Sequence, residues 1–536
     1  MMINYNKILS ELTLEEKIGQ LFCLSVTEKN ENDEYASALA KMRPGGLFIA
    51  NTTAEKIKEW TDRANENSKI PVIVASDVEH GADIAVGGTG LLPLPMAWGA
   101  CGDKELIRLG GEQTAKICRK NGVQWTFGPV VDINLNPNCS ESNIRSVSDD
   151  PKIVSDIAGA YMEGLMENGL MVASCKHFPG QGVDDRNSHF CTTINTLSKR
   201  KWLKTYGRVY KDVFKKGAPS VMVGHMALPC FEKEKDELGY LPAVLSKSLI
   251  TDLLKGKLGF KGAVVSDAMS MIGVASRVPL DEVAVTFLKA GGDMILFPEE
   301  GDYERVLAAV KSGELPMSRI DDAVLRILSL KDRARLFEDQ KALCDNISLD
   351  FDYSATAQKI ADKSVKIVRD YNKIIPADLK KGDKILFLNM LEPFFHQPPT
   401  GKEFAALKNY FESKGFVVDQ LYNPKHKEVR DIMDGYKLVL LNCKMSSRDY
   451  HGASLRVGWN NIMVLWRAYV LQHPGFIFLS FGDPYKLYDF PYLKEYVNVF
   501  SFTEESQVAA GKLILGEIKE TAKNPVDFRP YFKRGE

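Results

Sequence analysis

No run in this 536-residue chain reaches the ~18 consecutive apolar residues of a membrane-spanning helix. The opening MMINYNKILSELTLEEKIGQLF lacks the continuous apolar core of a secretory signal. CxxC spacing is absent, as is any close Cys/His set with metal-ligand spacing. The nine cysteines, an odd count, suit reduced thiols in a cytosolic enzyme better than a disulfide framework. A GxxxxGK phosphate loop is missing too, so nothing calls for a nucleotide or another cofactor. Excess charge of one sign is also lacking: 69 basic residues meet 70 acidic ones, well mixed, for a formal net charge of −1. That leaves no basic stripe to neutralise phosphates and argues against nucleic acid as a partner. We find neither a fixed-period repeat nor a low-complexity tract. These absences leave a cytoplasmic globular protein, without metal or cofactor, as the expectation; oligomeric state is left open.

The composition, 45% hydrophobic and 26% charged, is that of a chain able to bury sizeable cores. Because single cores stop growing at roughly 250–300 residues, two domains are expected. Eight short apolar runs recur before about residue 340: Gln20–Ser25, Gly46–Ala50, Val72–Ser76, Phe127–Ile133, Met171–Cys175, Ser220–Gly224, Ala263–Ser266 and Met294–Phe297. Segments of helical periodicity separate them, and strands buried on both faces read as continuous apolar runs. The predicted fold class is therefore α/β, a (β/α)8 TIM-type barrel. A second series, Lys384–Met390, Phe416–Gln420, Leu438–Asn442, Phe476–Phe481 and Val497–Phe502, predicts a smaller α/β sandwich behind it. We divide the chain into a catalytic barrel over 1–345, a linker over 346–375 and the sandwich over 376–536.

Barrel chemistry sits where the strands end. There the chain places Asp77 and Glu79, then Asp132 and Asn134, then Lys176 and His177, then His225, then Asp267. The densest stretch is KHFPGQG at 176–182, continuing through Asp184, Asp185, Arg186, Asn187 and Ser188 to His189. Retaining cleavage of a glycosidic bond needs a carboxylate on one face of the sugar and a proton donor near the leaving oxygen. A glycine-flexed loop ending in histidine suits the donor. On spacing alone, a βα loop that merely caps the next helix explains the same residues equally well.

KHFPGQG followed after four residues by Asn-Ser-His resembles the KHFPG-H-G and Asp-Ser-His signature of the β-N-acetylglucosaminidases of glycoside hydrolase family three. Further segments are similar in the same order: IVASDVEHG at 73–81, FGPVVDINLNP at 127–137, IRSVSDDP at 144–151, VMVGHMALP at 221–229, the segment Gly259–Met271 ending in SDAMSM, and AGGDMIL at 290–296. The resemblance implies an exo-acting retaining β-glycosidase of the N-acetylglucosaminidase or hexosaminidase type, acting on a small carbohydrate or glycoside. Asp267 would form the glycosyl-enzyme intermediate, although Asp after a strand is also a common helix cap. His189 would be the acid and base. Asp77, Arg145, Lys176 and His177 would hold the glycone, while His225 and Asp132 read equally well as buried supports.

The chain departs from the family pattern in three places. Asn187 stands where relatives pair the histidine with aspartate, so the ring gains no stabilising charge. Gln181 replaces a glycine-flanked histidine, and Ala85 stands where relatives carry a sugar-contacting arginine. These departures keep three alternatives open: a glycoside phosphorylase, since a neutral Asn187 admits an anion more easily; a β-glucosidase-like enzyme using an acid from the second domain, for which Glu392 in NMLEPFF is the candidate; and a weakened sugar-binding protein.

Overall fold

The computed structural model describes residues 3–26, 41–66, 68–391, 400–445 and 459–536. It divides into two compact units, Met1–Leu91 with Ile107–Ile133 and Val154–Phe351, and Leu92–Leu106 with Asn134–Ile153 and Asp352–Glu536.

The first unit is an eight-stranded parallel barrel. Its strands are β1 (Phe22–Ser25), β2 (Gly46–Phe48), β3 (Ile73–Ser76), β4 (Trp125–Thr126), β5 (Val172–Phe178), β6 (Ser220–Val223), β7 (Ala263–Ser266) and β8 (Ile295–Leu296). They run in the order β7-β6-β5-β4-β3-β2-β1-β8, and a parallel bridge between Val265 and Met294 joins the two ends. Most of these strands are buried throughout, which is why they read as unbroken apolar runs. The surrounding helices show the complementary pattern. Met317–Arg333 buries Ile320, Ala323, Val324, Ile327 and Leu328 along one stripe. Leu280–Ala290 opens with Asp281 and Glu282 and ends at Gly291, whose φ of 109° is the left-handed stop that glycine supplies.

One predicted strand is displaced. The fourth ladder is Trp125–Thr126, and the run Phe127–Ile133 lies beyond it, meeting the sheet through the Phe127 N–H to Ser76 O at 2.9 Å and through the Val130–Lys176 bridge. Pro129 has no N–H to give a ladder, so regular pairing is interrupted there and the run carries Asp132 past the end of the fourth strand.

The second unit is built on a six-stranded sheet: β9 (Lys366–Asp370), β10 (Lys384–Leu391), β11 (Val417–Tyr422), β12 (Leu438–Lys444), β13 (Phe476–Ser480) and β14 (Glu495–Asn498), ordered β9-β14-β13-β12-β10-β11. All pairs are parallel except β9 with β14. Alternate residues of β10 feed separate cores, Leu386, Leu388 and Met390 on one face, Ile385 and Phe387 on the other. The first of these cores also takes Leu94, Met96, Ala97, Ala100 and Ile144, so two segments that lie between barrel strands in the chain fold with the second sheet. The span 346–375, expected as a linker, contributes the helix Tyr353–Asp362 and the edge strand β9, with Ala361 and Val365 inside the second core. Among the described residues no helix is long and apolar enough to cross a membrane.

Candidate active site

The carboxyl end of β3 and the middle of β5 meet through an ammonium. Lys176, with 4% of its side chain exposed, places Nζ 2.7 Å from Asp77 Oδ1 and 2.7 Å from Glu79 Oε1. The two carboxylates offset the desolvation cost of burying the ammonium. Glu79 is buried whereas Asp77 keeps 44% of its side chain accessible, which leaves Asp77 the member able to accept hydrogen bonds from outside. The sequence brought out Glu79 only as a polar residue at a strand end; its two-residue spacing from Asp77 was the available signal.

The neighbouring His177 is fixed from behind. Asp132 is fully buried, and its carboxylate accepts from His177 Nδ1 at 2.8 Å, from the His177 N–H at 3.3 Å and from the Gln181 N–H at 2.7 Å. The displaced run after β4 thus delivers a carboxylate that sets both the imidazole and the start of the next loop. Gln181 enters this network through its backbone, while its side-chain Oε1 is buried without a hydrogen-bond partner.

Asp267 follows β7, and its N–H donates to Val223 O at 2.9 Å on β6. Its Oδ1 accepts from the Ala268 N–H at 2.8 Å. Burial alone would raise this carboxyl. The imidazoles of His225 and His177, the Ala268 N–H and the Lys176 ammonium together outweigh that penalty and hold it below the ordinary carboxylate range. His225 is fully buried, and burial lowers its own tendency to protonate. Its Nε2 faces Ala268 O at 2.8 Å and must donate, which leaves Nδ1 as a bare, unpartnered lone pair. His225 therefore steadies the backbone beside Asp267.

His189 and Asn187 form a tight local pair. Asn187 Oδ1 lies 2.9 Å from the His189 N–H and 2.7 Å from His189 Nδ1. An amide oxygen has no proton to offer, so Nδ1 is the donor and any proton exchange by this ring runs through Nε2. In the same loop Asp184 is occupied by Arg186 and by the Ile194 N–H. Burial would raise its carboxyl, but these partners hold it below the usual range, a poor setting for a proton donor.

The structure thus brings Asp77 to Lys176, His177 to Asp132, and His189 to Asn187, all on the barrel unit with Asp267. Arg145 belongs to the second unit, on the turn Asn143–Arg145, where its Nη1 donates to Glu141 O at 3.0 Å. Ala85 is buried and offers only a methyl group. Glu392 lies outside the described residues. Among the described residues no three His, Cys, Asp or Glu side chains are grouped as metal ligands would be.

Residues 13–330 match the Glycosyl hydrolase family 3 N terminal domain. Over 548 residues the chain is 29% identical to a β-N-acetylglucosaminidase/β-glucosidase of Cellulomonas fimi, covering 97% of this chain and 94% of that one. A β-hexosaminidase of Mycobacterium tuberculosis is 28% identical over 336 residues, covering 60% of this chain and 83% of its own. Among solved structures, the β-glucoside phosphorylase BglX bound to 2FGlc superposes with a TM-score of 0.87 at 27% identity, covering 98% of this chain and 96% of that chain. With a family match over most of its length and a carboxylate and imidazoles gathered at the strand ends of a parallel barrel, the chain belongs to glycosyl hydrolase family 3 and is a glycoside hydrolase.

Proposed function

We propose that the enzyme is an exo-acting retaining β-glycosidase of the β-N-acetylglucosaminidase or β-hexosaminidase type, working through a glycosyl-Asp267 intermediate. The observation that carries this reading is the placement of Asp267 at the end of β7, where the Ala268 N–H holds its Oδ1 at 2.8 Å and neighbouring imidazoles and the Lys176 ammonium keep its carboxyl below the ordinary range. An ionised carboxylate is the form that attacks the anomeric carbon. As the bond from that carbon to the leaving oxygen breaks, protonated His189 gives its Nε2 proton to the oxygen. The neutral imidazole, its Nδ1–H still on Asn187, then takes a proton from an incoming water, which displaces Asp267 and releases the sugar with retained configuration. Asp77, Lys176 and His177 hold hydroxyls of the glycone. Turnover of chromogenic β-glycosides, with labelling of Asp267 by a 2-fluoro glycosyl fluoride, tests the reading. No turnover across a broad panel of sugars, or label on another residue, would refute it.

Phosphorolysis is a second reading, favoured by one feature of the loop. Asn187 carries no charge, so phosphate approaching the anomeric carbon meets less repulsion than beside a carboxylate. The similarity to a β-glucoside phosphorylase points the same way. Faster turnover with added phosphate and a sugar 1-phosphate product would establish it; an unchanged rate and free sugar alone would discard it.

A further inference from the structure

The first turn of a helix presents N–H groups with no partner inside the helix. In the short helix Ile272–Ala275, which begins five residues after Asp267, two such groups reach the His189 loop. The Ile272 N–H donates to His189 O at 3.2 Å and the Gly273 N–H to Ser188 O at 3.1 Å. Thr192 Oγ1 returns a bond to Gly273 O at 2.7 Å. Behind Thr192 stands Arg277, 4% exposed, whose guanidinium meets Thr192 Oγ1 at 3.4 Å while gripping Asp236 at 2.6 and 2.8 Å, Gly239 O at 2.9 Å and Tyr240 O at 3.0 Å. The backbone bearing Ser188 and His189 is thereby stitched to the segment that follows Asp267.

Gly273 sets how closely the two approach. A Cβ at this position would lie 2.5 Å from Ser188 O, 3.0 Å from Cys191 O and 3.0 Å from His225 Cβ. Its φ is not among the positive ones, so the demand for glycine is one of space and not of conformation. Two of the three obstacles are main-chain carbonyls of the His189 loop, so relieving them changes the placement of that loop against the short helix. We infer that Gly273, with Thr192 and Arg277, is a positioning clasp that holds the His189 imidazole in register with Asp267. This inference rests on the reading of His189 as the proton donor.

A displaced donor betrays itself through the leaving group. A basic alkoxide needs its proton at the moment of departure, whereas an acidic dinitrophenolate leaves without one. The test compares kcat/KM, which reports glycosylation, for an alkyl and a dinitrophenyl β-glycoside of the preferred sugar. Gly273→Ala is expected to lose about 100-fold on the alkyl glycoside, the order of loss for a misplacement near 1 Å, with little change on the dinitrophenyl glycoside. Thr192→Val, which removes one hydrogen bond and disturbs packing less, should lose up to about tenfold with the same selectivity. It decides the matter should Gly273→Ala fail to fold. Equal losses on the two substrates, or none, would overturn the clasp. His189→Ala is the reference: selective loss there with no selectivity in the clasp variants rejects the clasp alone, while no selectivity in His189→Ala rejects the donor assignment itself.

Discussion

Exchanging Asn187 for aspartate changes one group and adds one charge in the place where geometry is already fixed. The oxygen that accepts from the His189 N–H at 2.9 Å and from Nδ1 at 2.7 Å becomes a carboxylate oxygen with both bonds intact. At an effective dielectric of about 20, two unit charges about 4 Å apart attract by about 4 kcal/mol. Part of that is lost to solvation, and an opposite charge at such range typically raises a group's proton affinity by about 1–3 pH units. Asn187→Asp should therefore move the basic limb of the kcat/KM profile upward by at least about one pH unit and raise hydrolysis of unactivated glycosides at and above neutral pH. The sign is fixed by what the donor must do, since more of the imidazole stays protonated where glycosylation needs it. A pH–rate series on an alkyl or simple phenyl glycoside reads both effects. An unchanged limb and an unchanged rate, together with a tolerated His189→Ala, would refute the reasoning and turn attention to Asp185 or Glu392.

Asp267→Asn or Asp267→Ala should abolish turnover and leave thermal melting nearly unchanged, since the residue stands at a strand end and not within the packed barrel; near-normal activity would remove it as nucleophile. The acid limb of the wild-type profile should lie below the ordinary carboxylate range, because the Asp267 proton is lost early, and Lys176→Met should bring that limb up. Asp132→Asn should cost about 10–100-fold in activity, mainly through KM, as His177 and the Gln181 backbone lose a shared charged acceptor. Lys331, fully buried with Gln20 Oε1 at 2.6 Å, is pushed by burial down to about 7 despite the opposing influence of Cys23. Above that pH and up to about 10.5 the unfolded chain keeps a proton that the folded chain lacks, so denaturant stability should rise with pH across the window and be lowest below it. Lys331→Met should flatten this dependence; a variant whose stability still rises with pH across the window as in wild type would contradict it.

How far the sequence was legible depends on which interactions decide each feature. The barrel was readable because strands covered on both faces must be apolar throughout, and Ala263–Ser266 falls where the run predicts it. The fourth strand was not, because FGPVVDI is as apolar as its neighbours and only the proline betrays that it cannot continue a ladder. Strand β9 was hidden for the opposite reason: KIVRD is only half-buried at the edge of the sheet and carries charges that read as linker. Allegiance of Leu92–Leu106 and Asn134–Ile153 to the second unit depends on contacts far apart in the chain, such as Ser501 Oγ with the Leu94 N–H, which no local pattern encodes. Candidate residues stood out by type and position. Their second partners did not: that Asp132 serves His177 and the next loop at once is settled by three-dimensional placement.

The described site separates two kinds of control, and this orders what substitutions will do. Lys176, His177 and Asp132 are tied to barrel strands, with the Lys176 charge matched by Asp77 and Glu79 and the His177 ring held by a carboxylate without access to solvent. His189 depends instead on a neutral amide and on backbone bonds to a four-residue helix. On the proposed assignment, positional error is therefore small on the glycone side and is absorbed on the leaving-group side, where a few hydrogen bonds set the donor. Changes at Asp132 should accordingly register as sugar affinity, whatever the leaving group. Changes at Asn187, Thr192 or Gly273 should register as leaving-group and pH dependence, whatever the sugar. Measuring both dependences for one variant from each group decides the point: if Asp132→Asn and Thr192→Val respond alike to leaving group and to glycone, the site acts as a single unit and the separation fails.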